Sequence, residues 1–219
     1  MPRASGPPGH DCPRCPRLVA FRKSWRKQEP DWFNAPVDSF GPSDARLLIV
    51  GLAPGLRGAN RTGRPFTGDY AGDLLYSTLL KFGFAQGQYQ ARPDDGLCLV
   101  DCRITNAVRC VPPENKPTPD EINTCRQYLA ATIADMPRLS VVLALGRIAH
   151  DSVVVAQGAR RAAHPFAHSS VHAIGKLKLY NSYHCSRLNT NTGVLTPKMF
   201  SDLIGKIRAD LDEQMPALA

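Results

Sequence analysis

A chain of 219 residues, 43% of them apolar, can bury one good core, and a formal charge of +8 biases its partners towards polyanions. It holds no run of 18 apolar residues, so no membrane-spanning helix is expected, and its first residues, MPRASGPPGHDC, lack the apolar core of a secretory leader. The composition reads as that of a cytoplasmic protein, in which seven cysteines serve as thiols or metal ligands rather than disulfides.

Residues 1–11, rich in Pro, Gly and Ser, read as a flexible arm, and residues 12–219 as a single domain. Helix formers interleaved with Leu18, Val19, Phe21 and Trp25 predict a helix over 17–27. The run Leu47-Leu48-Ile49-Val50 reads as a buried strand, and the Gly-rich stretch 51–69 after it suits neither strand nor helix. Leu74, Leu75, Leu79 and Leu80 form the apolar face of a helix over 69–82, and 97–108 holds one or two short strands, LCLVD and ITNAV. Thr118 as N-cap, Pro119 at the first helical position and Glu121 closing a capping box start a helix with its body at 122–136. A buried strand follows at 141–145, then a helix opened by Gly146 that runs to residue 157. The basic stretch 158–172 reads as an inserted loop, which either grips a nucleic-acid backbone through Arg160 and Arg161 or is a plain surface loop. An alternating strand at 176–183 precedes a last amphipathic helix from Thr196-Pro197, with Met199, Leu203, Ile207 and Leu211 on one side. Strands alternating with helices predict an α/β fold with a mostly parallel sheet covered on both faces and its ligand at the carboxyl ends of the strands. The loops after Val50, Ala107 and Tyr183 should therefore converge.

Three stretches carry chemistry. In GLAPGLRGANRTGRPFTGD, glycines let main-chain N–H groups approach a ligand, Arg57, Arg61 and Arg64 offer fixed charge to phosphate, and Phe66 offers a face to a flat base. Cys12 and Cys15, three apart, with Cys110 and Cys125 around a Pro-rich loop, could hold zinc or a 4Fe-4S cluster; spacing alone does not separate the two. Cys98 and Cys102 form a rival pair that reads as small core residues. In SYHCSRLNTNTG, His184 leaves a strand end and could donate a hydrogen bond to charge developing on a leaving group. Leu188, between Arg187 and Asn189, is either an exposed wedge that displaces a base or a leucine tucked onto the last helix.

GLAPG followed by NRTGRPFTGD, the CPRCPRL start, TNAVRCVPPENKPTPDE and the SYH-S-x-x-N-T-x-T-G loop together resemble the family-five (type b) uracil-DNA glycosylases, iron-sulfur members of their superfamily, over about residues 12–211. Family four shares the cysteine framework and the TGRPF element but has a carboxylate, as a rule glutamate, where this chain has Ala53, which favours family five. The alanine also removes the expected carboxylate for water activation. The resemblance implies a three-layer α/β/α sandwich around a mostly parallel four-stranded sheet, and a structural 4Fe-4S cluster on Cys12, Cys15, Cys110 and Cys125. It further implies that the flipped base stacks on Phe66, that Asn106 reads or orients it, and that His184 is the second-motif histidine. The family reads H-P-S where this chain has His184-Cys185-Ser186, a departure that loosens the loop without removing a donor.

Uracil leaves as an anion from an oxocarbenium-like sugar, so donors matter more than a strong base. His184 and the main chain of Ala53, Pro54 and Gly55 are expected to stabilise the uracil oxygen, with Asn60 and Asp69 as polar candidates near the sugar, Asn60 ranked higher because Asp69 reads as a helix cap. Arg61, Arg64, Ser186 and Leu188 complete the expected substrate contacts. The partner implied is double-stranded DNA carrying uracil or other deaminated bases, met by a monomer in a bacterial or archaeal cell interior. No lysine stands where a Schiff base would form, which implies a monofunctional enzyme. A family-four enzyme, a non-catalytic iron-sulfur nucleic-acid-binding module and an iron-sulfur redox protein are the alternatives.

Overall fold

The structure is a computed structural model and describes residues 6–213. Residues 1–5 of the expected arm lie outside the described residues. Residues 10 and 11 lie against the first helix, where Arg26 donates to Asp11 at 2.5 Å and to the carbonyl of His10 at 3.2 Å. That helix, α1, is Pro16–Gln28, with the proline at its first position.

The strand β1, Leu47–Gly51, is buried along its whole length. A one-turn helix α2, Ala59–Thr62, interrupts the Gly-rich stretch and ends at Gly63, whose φ of 77° is the left-handed cap that glycine tolerates. Helix α3, Tyr70–Lys81, starts on Asp69, whose carboxylate accepts the N–H of Gly72. Strands β2, Ala85–Gln86, and β3, Cys98–Leu99, pair in a small antiparallel sheet of their own. Strand β4, Cys102–Asn106, is followed by α4, Pro119–Ala134, which carries the full Thr118–Glu121 capping box. Then come β5, Val141–Leu145; α5, Arg147–Ala156; β6, Val171–Ile174; β7, Leu177–Ser182; α6, Arg187–Asn191; and α7, Pro197–Glu213.

The main sheet has the order β4-β1-β5-β7-β6. Four strands are parallel, as expected, and the fifth, β6, is an antiparallel edge strand on β7. This corrects the expected count of four: β6 begins inside the stretch 158–172 read as a loop and runs past it, and only Ile174 of its four residues is buried. The alternation of side chains along a strand explains the three layers. Leu47, Ile49 and Leu143 pack towards α3 and α7 with Leu75, Leu203 and Ile207. Leu48, Val50, Val142 and Ala144 face α4 and α5 with Leu129, Ile133 and Val153. Of the two cysteines read as core residues, Cys102 is buried and Cys98 is exposed, because the second begins a two-residue strand outside the main sheet. Among the described residues no helix is long and apolar enough to cross a membrane.

Candidate active site

The carboxyl ends of β1, β4 and β7 deliver Gly51, Asn106 and the 183–186 segment to one end of the sheet. There a single cavity is bordered by the 52–59 segment together with Phe66, Asp69, Asn106, His184 and Ser186. Gly51 stands opposite Asn106 in the parallel register. A Cβ on Gly51 would lie 2.4 Å from Asn106 Oδ1 and 2.6 Å from Phe66 Cζ, so only glycine lets the carboxamide and the phenyl ring meet over the strand end. Phe66 is buried and holds a φ of 52°, a conformation non-glycine residues adopt only when their surroundings enforce it. The enforcement is visible: Tyr89 donates to the Phe66 carbonyl at 3.2 Å and Tyr76 to the Pro65 carbonyl at 2.6 Å. The ring stacks against His184, with centroids 5.9 Å apart and planes at 27°.

Burial pushes the His184 pKa down to about 4, so the ring is neutral at ordinary pH and has one N–H to give. Burial raises the Asp69 carboxyl above its usual range, opposed by main-chain N–H groups of Gly72 and Ala71. Asn106 is buried, and among the described residues its Oδ1 has no partner. An orphaned buried acceptor is costly in an interior and inexpensive if a ligand completes it. Within the 53–56 segment, the N–H groups of Ala53, Gly55 and Leu56 donate no backbone hydrogen bond among the described residues.

Ala53, Pro54, Gly55, Phe66, Asp69, Asn106, His184 and Ser186 are therefore brought together on one cavity, whereas Asn60, Arg61, Arg64 and Leu188 are not among its walls. Asn60 is buried behind the wall residue Ala59, its Nδ2 donating to Asn34 Oδ1 at 2.8 Å and its Oδ1 unpartnered. The ranking of Asn60 above Asp69 is reversed in position: Asp69 both caps α3 and borders the cavity. Arg64 is a correction of a different kind. Its guanidinium is buried in a two-bonded pair with Asp95, at 2.8 Å on each arm, and its Nε donates to Thr67 at 2.7 Å, so it has no face left for phosphate. Arg61 is exposed on α2. Leu188 is 71% exposed on α6, a helix capped by Ser186 through the N–H of Asn189. It does not tuck onto the last helix; Leu195 fills that place, buried with Phe200 and Ile204. Tyr70, Arg187 and Asn115 are among the wall residues that escaped the sequence reading. The Arg187 guanidinium sits 5.2 Å from the Tyr70 ring centroid, and Asn115 comes from the Pro-rich loop with a φ of 58°.

A second cavity lies beside the first. Cys12, Cys15, Cys110 and Cys125 all line it, among Leu18, Val108 and Tyr128. Arg22 donates to the Cys110 sulfur at 3.5 Å, and the Arg109 N–H to the Cys125 sulfur at 3.3 Å. Burial pushes the Cys110 thiol up to about 11 and the Cys125 thiol up to about 12. Among the described residues no group of three His, Cys, Asp or Glu side chains is set to hold one metal ion. Ala53 packs against this cysteine cluster and also borders the first cavity, and the Val108 N–H donates to the Leu52 carbonyl at 2.9 Å, so the two cavities share a wall.

The model of the uracil DNA glycosylase superfamily matches residues 38–208. The chain is 44% identical over 200 residues to the type-5 uracil-DNA glycosylase of Thermus thermophilus, covering 88% of this chain and 90% of that protein. It is 39% identical over 204 residues to the type-5 enzyme of Pyrobaculum aerophilum, covering 91% and 89%. The type-4 uracil-DNA glycosylase of Archaeoglobus fulgidus aligns at 35% identity over 114 residues, 52% of this chain and 49% of that protein. Similarity over 88% and 91% of the chain to the type-5 proteins shows the family: the chain belongs to the uracil-DNA glycosylase superfamily and, within it, to the type-5 family.

Proposed function

We propose that this chain is a monofunctional DNA glycosylase that hydrolyses the N-glycosidic bond of uracil in double-stranded DNA and accepts other deaminated bases such as hypoxanthine and xanthine. One observation carries the reading: Phe66, Asn106 and His184, from three separate segments, border one cavity at the carboxyl end of the sheet.

The glycosidic carbon is out of reach in a stacked duplex, so the base must first leave the helix, and mispaired bases leave at lower cost. Leu188 is the exposed apolar tip suited to fill the space left behind, and Arg187 and Tyr70 flank the mouth. The extruded base stacks on Phe66. The Asn106 carboxamide can accept from the N3–H of uracil and donate to its O4, which relieves the orphaned Oδ1. As the bond between C1′ and N1 breaks, its electron pair passes to the base, and the charge spreads to the uracil oxygen. The neutral His184 N–H and the main-chain N–H groups of Ala53 and Gly55 are the donors for that charge. Water then adds to C1′ of the oxocarbenium-like sugar and loses a proton, and the released uracil anion takes one up. Asp69, on the cavity border, is the acceptor placed to orient that water, whereas the Oδ1 of Asn60 lies behind the wall, and Asp69→Asn against Asn60→Ala separates the two.

Four thiols lining one cavity are the donor set of a 4Fe-4S cluster, and the likeness to the iron-sulfur glycosylases favours that group over zinc. Cys12, Cys15, Cys110 and Cys125 would hold it, and it would tie α1, β4 and α4 together without entering the reaction. The protein would act as a monomer on chromosomal DNA in the cytoplasm. The test is excision of uracil from a duplex, read by alkaline cleavage of the abasic product, with hypoxanthine and xanthine duplexes in parallel. Release of base without strand scission and without a borohydride-trapped adduct is expected. Tight duplex binding with no base release would leave a nucleic-acid-binding module.

A further inference from the structure

The ladder between β6 and β7 has Val171 opposite Tyr180, and two further bonds extend it: the Ser169 N–H donates to the Asn181 carbonyl at 2.8 Å, and the Asn181 N–H to the Ser170 carbonyl at 3.1 Å. Asn181 Nδ2 also donates to Ser170 Oγ at 3.1 Å, so residues 169 and 170 are fixed to the end of β7. Past this point the chain turns towards the cavity, and the Tyr183 N–H has no strand carbonyl to meet. It donates instead to His168 Nδ1 at 3.3 Å. The His168 ring stacks on Tyr183, with centroids 5.2 Å apart and planes at 23°. One residue later comes His184, whose carbonyl accepts from Asn189 Nδ2 at 2.9 Å.

We propose that His168 is a positioning residue for His184: by taking the Tyr183 N–H on its Nδ1, it sets the backbone angle at which the chain presents His184 to the cavity. The bond requires a neutral ring with its proton on Nε2, and burial holds the His168 pKa below the ordinary imidazole value, in keeping with that requirement. Without it, a half-buried N–H one residue from the catalytic histidine would lose its partner, and the segment would gain freedom where placement matters most. The role deepens the glycosylase reading and rests on it.

His168→Leu removes the acceptor, whereas His168→Asn places Oδ1 where Nδ1 stood. In His168→Leu the single-turnover rate of uracil release is expected to fall about ten- to a hundred-fold, with duplex affinity unchanged, as for a catalytic group shifted by a fraction of an ångström. His168→Asn should restore most of that rate. A wild-type rate in His168→Leu, or an equal loss in both variants at native melting temperature, overturns the proposal. The His184 imidazole signals in a nitrogen-edited spectrum read the same geometry without catalysis: moved in His168→Leu and native in His168→Asn supports the proposal, native in both overturns it. Should the unmodified chain release no base at all, the functional reading falls and those signals alone decide the role of His168.

Discussion

Gly51 and Asn106 end two adjacent parallel strands in register, and the space a methyl group would take on the glycine is already held by the asparagine Oδ1 and the Phe66 ring. Gly51→Ala therefore forces the carboxamide or the phenyl ring to move, since the strand beneath them is fully buried and has no room to yield. Overpacking of this kind costs about 1–3 kcal/mol of stability. The loss in single-turnover rate should be larger, on the order of a hundred-fold, because both groups proposed to hold the base shift together. Chemical denaturation beside single-turnover kinetics checks the pair. Native kinetics in a folded Gly51→Ala protein would mean that the two side chains do not act on the base.

Arg64 makes the opposite case, a residue that looks like a phosphate contact and is a strut. Its side chain and that of Asp95 are 6% and 0% exposed, and the guanidinium holds the Asp95 carboxyl well below the usual carboxylate range. Arg64→Met strands a buried carboxylate and should cost about 3–5 kcal/mol. The Asp95 pKa is lower in the folded chain than in the unfolded one, so the stabilisation is complete above the unfolded value of about 4 and fades as the pH falls below it. The salt dependence of duplex binding in a folded Arg64→Met protein should be unchanged. A slope reduced by about one would place Arg64 on a phosphate after all.

Much of this architecture was legible because the physics is local. LLIV and VVLAL are buried on both faces, which alone marks central parallel strands, and Thr118, Pro119 and Glu121 write a helix start into consecutive residues. The convergence of Phe66, Asn106 and His184 followed from strands whose carboxyl ends share one edge. What stayed hidden depended on partners distant in sequence. Asp95 lies 31 residues from Arg64, and Asn34 lies 26 from Asn60, so no local pattern marks either polar side chain as internal. Strand β6 has one buried residue in four and starts within a basic segment that resembles a loop. Tyr70 and Asn115 reach the cavity only through the start of α3 and a left-handed turn in the Pro-rich loop.

The four-cysteine cavity yields a compositional prediction. Purified without chelators, the chain should carry about four iron atoms and four acid-labile sulfides and show the broad visible absorption of a cysteine-ligated cluster. Cys125→Ser should lose most of the iron. It should also lower the melting temperature by several degrees, since a group tying Cys12 and Cys15 to β4 and α4 contributes to folding and each kcal/mol shifts a chain of this size by about 2–4 °C. Metal and sulfide analysis with thermal melts is the check, and one zinc per chain with no iron would refute the cluster.

The pH profile of base release tests His184 directly. An ordinary imidazole titrates near pH 6.5, whereas burial holds His184 at about 4. Between these values the unfolded chain binds a proton that the folded chain refuses, so the stability owed to this group is complete above 6.5 and declines as the pH falls towards 4. Catalysis follows a different course. The neutral ring, the form that can give an N–H without carrying charge into the pocket, persists until the folded pKa is reached. His168 is displaced in the same direction by its burial. Single-turnover rates should stay level from about pH 8 to about pH 5 and fall near the folded pKa, and His184→Ala should lower them by about ten- to a thousand-fold, the cost of one lost donor. A limb centred near 6.5 in the native protein that vanishes in His184→Ala would show that the ring is charged where we have it neutral, and that it works by donating a proton rather than by holding a hydrogen bond.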